Sequence, residues 1–212
     1  MSALVSPTDL PARVRLFPLG GVLLFPRAVM PLNIFEPRYL EMVRDAMGGD
    51  RLIGMVQPRD SSTADRSDLY SVGGLGRITR FSETGDGRFL IALTGVTRFH
   101  IADELPVTTP YRQVITNYSQ FSADCSDPAP LAAIARTNLE DALRHYLVRH
   151  DLSADWDAIK GADDEGLINN LAIVCPFTPA ERQALLESPD LATRTDTLVT
   201  LMRFSGSESG HA

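Results

Sequence analysis

The most apolar stretch of this chain ends on a cluster, Glu36-Pro37-Arg38-Tyr39, in which three side chains can do chemistry. A carboxylate, a guanidinium and a phenol within four positions offer both donors and acceptors. An arginine fork in particular matches a carboxylate or a carbonyl. The stretch before them, LFPLGGVLLFPRAVMPLNIF (16–35), is cut by Pro18, Pro26 and Pro31, with Pro37 following. Two readings are open. In one, the cluster is a local anchor: Glu36 caps a helix opened by Pro37, Arg38 pairs with an acid and Tyr39 packs. In the other, Phe17, Phe25, Pro31 and Phe35 form the apolar floor of a groove, and Arg38 with Arg98 supplies donors to a bound carbonyl or carboxylate.

Other constellations carry less. Gly73-Gly74-Leu75-Gly76 lacks the Lys-Ser/Thr of a phosphate-binding loop and leads into a strand pattern, so a β-bulge is the better reading. His145 and His150 are five apart on a helical pattern and point to different faces, whereas ligand pairs want three or four. Asp151, Asp155, Asp157, Asp163 and Asp164 lack the glycine and closing glutamate of a calcium loop. Acids there suit helix starts. His100 has Asp103 nearby, but no Ser or Cys motif accompanies it. Neither Cys125 nor Cys175 has a Cys or His at ligand spacing, and both are expected as reduced thiols. No catalytic residue, metal or cofactor is expected.

The elements that would position these residues fall into two lobes. Short β-rich runs at 13–17, 22–25, 29–34, 51–56, 69–81, 88–101 and 111–121 predict strands. Glu83-Thr84-Gly85-Asp86-Gly87 predicts a hairpin turn. Gly73-Gly74 and Gly95 suggest bulges or tight bends. One helix, 37–47, starts on a proline and stops at Gly48-Gly49. Prolines that cut one apolar ribbon into short pieces fit a strand set that turns corners, as a barrel requires. From 131 the apolar period changes to 3.6, with Leu131, Ile134, Ala135, Leu139, Ala142, Leu143, Tyr146 and Leu147 on one face. Shorter helices are expected over 153–160 and 164–175. Thr178-Pro179-Ala180-Glu181 is a capping box, and a last helix runs to about Phe204. The expected organisation is a flexible arm (1–12), a β-rich lobe (13–121), a linker (122–130), a helical lobe (131–204) and a disordered tail (205–212).

Bulk properties bound the function classes. Of 212 residues, 44% are hydrophobic and 22% charged, ordinary for a folded soluble protein. No apolar run approaches the ~20 residues that span a bilayer, and the N-terminus has no secretory signal pattern. A cytoplasmic location is the expectation. The net charge of −7 is concentrated in the C-terminal half, and Lys160 is the one lysine. Such a surface repels a polyanion, so nucleic acid is not expected as a partner.

Taken together, LFPLGGVLLFPRAVMPLNIFEPRYLEMVRDAM (16–47), LIGMV (52–56), SVGGLGRI (71–78) and GRFLIALTGVTRFHI (87–101), with Gly95, Arg98 and Phe99, resemble the N-terminal domain of Lon protease in its stand-alone bacterial form. CPFTPAERQALLESPDLATRTDTLVTLM (175–202) is similar to the family's helical segment at Gln183, Leu185, Leu186 and Glu187. The resemblance covers nearly all of 13–204. It implies an α+β fold, a PUA-like pseudo-barrel followed by a helical bundle, and a role in recognising protein substrates. This sequence carries neither a Walker motif nor the family's Ser-Lys peptidase motif, so no catalysis is carried over. The expected activity is binding of unfolded or degron-bearing polypeptide, or of a protein partner, in an adaptor role related to proteolysis. Extended peptides could pair with exposed strand edges. The candidate residues are Phe17, Phe25, Pro31, Phe35, Glu36, Arg38, Tyr39 and Arg98. An RNA-binding PUA-like module and a small hydrolase are the alternatives.

Overall fold

A computed structural model of the chain describes residues 10–59 and 68–204. Most of the expected arm and the whole of the expected tail lie outside the described residues. The chain divides into two compact units, Met1–Asp127 and Pro128–Ala212. The fold is α+β, as the sequence predicts.

The first unit holds β1 (Arg13–Pro18), β2 (Val29–Ile34), α1 (Pro37–Met47), β3 (Leu52–Val56), β4 (Val72–Glu83), β5 (Phe89–Glu104) and β6 (Gln113–Asn117), followed by a 3-10 helix, Ser119–Cys125. The sheet order is β2-β5-β4-β3-β1-β6, and an additional β5–β6 pairing joins β1, β3, β4, β5 and β6 into a closed circuit. β1 and β3 are parallel and the other pairs antiparallel. β5 is long enough to serve two neighbours in turn. Its first half, Phe89–Thr94, pairs with β2, and His100–Glu104 pairs with β6. β2 is thus an appendix to the barrel, held on one side.

Adjacent side chains of a strand point to opposite faces, and β1 uses this to feed two cores. Leu16 joins Val14, Leu52, Val56, Leu75, Phe99 and Val114, all from strands of the closed circuit. Phe17 joins a larger cluster with Ile34, Ile53, Phe89 and Leu93 under α1. α1 contributes Tyr39, Met42, Val43 and Ala46, the i, i+3, i+4, i+7 stripe of an amphipathic helix. Full burial of side chains such as Met42 and Val43 stabilises by ~1.5–3 kcal/mol each.

The run 22–25 is not a strand. Leu23, Leu24 and Phe25 are buried but lie in irregular backbone that crosses directly over the sheet. A Cβ on Gly74 would sit 2.0 Å from the Leu24 carbonyl oxygen, and one on Gly95 would sit 1.9 Å from that of Phe25. Only glycine allows so close an approach. Gly95 also borders a register shift between β4 and β5, the bulge expected there. The hairpin at 84–88 forms as expected: Thr84 N donates to the Arg88 carbonyl at 2.9 Å, and Gly87 takes a φ of 80°.

The second unit comprises α2 (Ala133–Arg149), α3 (Trp156–Gly161), α4 (Asp164–Val174), α5 (Pro179–Glu187) and α6 (Leu191–Phe204). The expected face of α2 is buried at Leu139, Ala142, Leu143 and Tyr146, whereas Ile134 is exposed. The capping box forms in both directions: Thr178 Oγ1 accepts from Glu181 N, and Thr178 N donates to the Glu181 carboxylate. Asp155 and Asp163 are the N-caps of α3 and α4. Arg194, 3% exposed, donates to the Leu185 carbonyl and the Asn169 side chain. No helix among the described residues is long and apolar enough to cross a membrane.

Candidate functional site

The eight candidate residues fall into two sets. Phe17, Phe25, Tyr39 and Arg98 are interior; Pro31, Phe35, Glu36 and Arg38 lie at or near the surface where β2 runs into α1. Phe17 and Tyr39 pack ring to ring at 4.3 Å with a 51° tilt. Phe25 is fully buried. Phe35 is 60% exposed, with the Arg88 guanidinium 5.9 Å from its ring centroid.

Glu36 occupies the N-cap position of α1 without a side-chain cap hydrogen bond. Its carboxylate instead accepts from Arg38 Nε at 3.0 Å and pairs with the same guanidinium at 2.9 Å. Arg38 in turn lies over the Tyr39 ring, 4.7 Å from its centroid. The local anchor therefore forms with a different wiring from the one its sequence implies: the acid holds the arginine and leaves the helix start to Pro37. An ion pair this exposed contributes only ~0–1 kcal/mol.

Arg98 is not available as a surface donor. It is 1% exposed and binds Asp124 through Nε at 2.9 Å and a terminal amine at 2.8 Å. Its backbone N–H donates to the same carboxylate at 2.9 Å, and its guanidinium stacks over Phe121 at 4.4 Å. Asp124 and Phe121 belong to the 3-10 helix, so the pair pins that helix onto β5. Arg27, at a φ of 65°, donates to the Asp124 carbonyl at 2.7 Å and thereby ties the turn before β2 to the same helix.

The surface set starts on β2 and runs on into α1. Val29, Pro31 and Asn33 alternate with the inward Met30, Leu32 and Ile34, and are exposed. They pair with Thr94, Ala92 and Leu90 of β5, and directly paired residues share a face of the sheet. Val29 is 64% and Leu90 47% exposed. With Pro31 and Phe35 they make a mostly apolar face, interrupted by Asn33, beside a strand whose second edge has no partner strand among the described residues. Val29 and Leu90 were not singled out by their sequence context; the register of β2 on β5 reveals them.

The remaining constellations form no recognisable site. No hydrogen bond joins His100 to Asp103 among the described residues, and no group of three or more His, Cys, Asp or Glu side chains among them is placed to hold a metal ion. Burial pushes the Cys175 thiol up to about 11, the opposite of an activated nucleophile.

Comparison with known proteins gives this arrangement its context. Lon protease 2 of Myxococcus xanthus is 25% identical over 204 residues, covering 94% of this chain and 24% of that protein. Lon protease of Flavobacterium johnsoniae is 28% identical over 191 residues, covering 88% of this chain and 23% of that protein. The chain thus spans about a quarter of the length of these relatives. A Lon N-terminal domain protein from Xanthomonas campestris has the same fold, with a TM-score of 0.64 at 22% identity over 89% of this chain and 97% of that one. The N-terminal domain of the Mycobacterium avium complex Lon protease superposes with a TM-score of 0.63 at 14% identity, over 91% and 99%. The barrel of the first unit is accordingly PUA-like. The profile of the ATP-dependent protease La (LON) substrate-binding domain matches residues 13–203, and the chain belongs to that family.

Proposed function

We propose that this chain is a non-catalytic cytoplasmic module that holds unfolded or degron-bearing polypeptide, in an adaptor role related to proteolysis. The family is described as the substrate-binding domain of an ATP-dependent protease, and a protease's substrate is polypeptide. The observation that carries the reading is the set of exposed side chains Val29, Pro31, Phe35 and Leu90 beside β2, a strand whose second edge has no partner strand among the described residues. Contiguous exposed apolar side chains on a folded surface mark interaction sites. Pro31 has no N–H to give to an added strand, and a proline on an edge blunts it against strand addition. Recognition therefore rests on side-chain contact with this face more than on a continuous backbone ladder, which suits clients that share apolar character but no sequence.

The test is fluorescence polarisation of labelled, natively unfolded β-casein against the purified chain. The expected result is saturable binding, weakened about tenfold, or 1.4 kcal/mol, by Phe35→Ser combined with Leu90→Ser. Both positions are exposed, so the fold should survive. No saturable signal, or the same affinity in the double variant, refutes the reading.

A further inference from the structure

A second surface of the first unit is as polar as the β2 face is apolar. Arg13 and Arg15 lie on one face of β1. Arg44 and Asp45 lie in the last turn of α1, and Gly48, Gly49 and Asp50 follow the helix. With Tyr111 and Gln113 they line an open cleft of about 620 Å³. Three arginines and two aspartates are among the lining residues, and both carboxylates are already engaged. Asp50 Oδ1 accepts from an Arg15 terminal amine at 2.9 Å and from Leu52 N at 3.0 Å. Asp45 Oδ2 accepts from the Tyr111 hydroxyl at 2.5 Å.

The other two arginines make no ion pair among the described residues. Arg13 donates its Nε to Gln113 Oε1 at 2.6 Å, and Gln113 Nε2 donates to Thr109 Oγ1 at 3.0 Å, which fixes the amide and so orients the arginine. The terminal amines of Arg13 have no hydrogen-bond partner among the described residues. The Arg44 guanidinium makes no hydrogen bond or ion pair there, only a stacking contact 5.0 Å from the Phe89 ring centroid. A cation in the last turn of a helix offsets the helix dipole, which accounts for Arg44 alone. It does not account for Arg13, which lines the same cleft and is held there by Gln113.

We propose that this cleft binds a carboxylate group of a polypeptide, with Arg13 and Arg44 supplying the donors. The net of one positive charge in the cleft matches a single carboxylate and leaves a phosphate, at nearly two charges, half compensated. Planar forks suit the two oxygens of a carboxylate. The charged lining makes it a poor home for an apolar ligand. The carboxylate comes either from the client's C-terminus or from an aspartate or glutamate within it. This inference rests on the polypeptide-binding reading and adds a polar determinant to it.

Three short fluorescein-labelled apolar peptides of one sequence separate the possibilities: a free C-terminal acid, the C-terminal amide, and the amide with one internal glutamate. Wild-type protein is expected to bind one or both carboxylate-bearing peptides about tenfold tighter than the plain amide. The free acid alone being favoured identifies a C-terminal site, and the glutamate peptide being favoured identifies an internal acidic residue. In Arg13→Gln/Arg44→Gln the affinity of the favoured peptide should fall to that of the amide. Equal binding of all three to wild type, or a preference that survives in the double variant, overturns the proposal while the polypeptide reading stands. If none of the three binds, that reading falls, and the proposal with it.

Discussion

Replacing Asp124 by alanine should be the most damaging single change in the first unit that touches no apolar core residue. Asp124 receives three hydrogen bonds from Arg98, two from the guanidinium and one from the backbone, and both side chains are nearly inaccessible, at 2% and 8% exposure. The variant leaves a guanidinium buried over Phe121 with its counter-charge gone. Breaking a buried pair in this way costs about 3–5 kcal/mol. At a urea m-value of roughly 2 kcal/mol/M, that lowers the unfolding midpoint by about 2 M. Because the chain has two compact units, the readout should be specific to the first. Hydrogen–deuterium exchange of peptides from β5, followed across a urea series, meets that need. Peptides covering β2 should lose protection as well, since Arg27 is tied to the Asp124 carbonyl. Arg98→Met/Asp124→Leu removes both charges and should recover much of the loss, because an apolar pair of similar volume avoids the stranded charge. A shift below about 0.5 M for Asp124→Ala, or a double variant no better than the single, refutes the assignment of Arg98–Asp124 as the clamp on the 3-10 helix.

Gly95→Ala places a Cβ 1.9 Å from the Phe25 carbonyl oxygen and should destabilise the first unit by about 3 kcal/mol or more, measured as the loss in chemical denaturation; a change under about 1 kcal/mol contradicts the close crossing. Thr178→Ala removes the capping box of α5 and should cost the second unit about 1 kcal/mol, read by urea unfolding through the fluorescence of its single tryptophan, Trp156. Tyr111 is held up to about 12 by burial first and by its bond to Asp45 second. A raised pKa means that the neutral phenol is favoured by the fold, so its contribution is complete below the ordinary value of 10.0 and is lost as pH climbs toward about 12. Burial holds Tyr146 up to about 12 as well, so an ultraviolet titration of the tyrosines should show two late-ionising groups near 12, one of which is lost in Tyr111→Phe; a late step of undiminished amplitude in that variant removes the assignment.

Local rules made much of the fold legible. Pro37 and Gly48-Gly49 bounded α1, Asp86-Gly87 marked the hairpin, and Thr178 with Glu181 marked the start of α5, because each is a short-range pattern with one favourable geometry. The run 22–25 reads as a strand because its residues are β-formers. It folds as buried irregular backbone because Gly74 and Gly95, distant in sequence, leave room for its carbonyls. The candidate site was legible in part for the same reason. Phe35 and Arg38 sit where their local context implies, but the fate of Phe17, Phe25 and Arg98 depends on tertiary partners. Arg98 is the clearest case: nothing near it in the chain announces Asp124, 26 residues away. The arginine cleft gathers residues from 13 to 113, and the apolar face at Val29 and Leu90 requires the β2–β5 register. Long-range pairing of this kind has no short-range signature.

The most direct measurement of the central claim is hydrogen–deuterium exchange of the whole chain with and without saturating unfolded β-casein. The account predicts that peptides covering Val29–Phe35 and the facing start of β5 gain protection on binding. Binding that leaves those segments unchanged and protects another surface would contradict it.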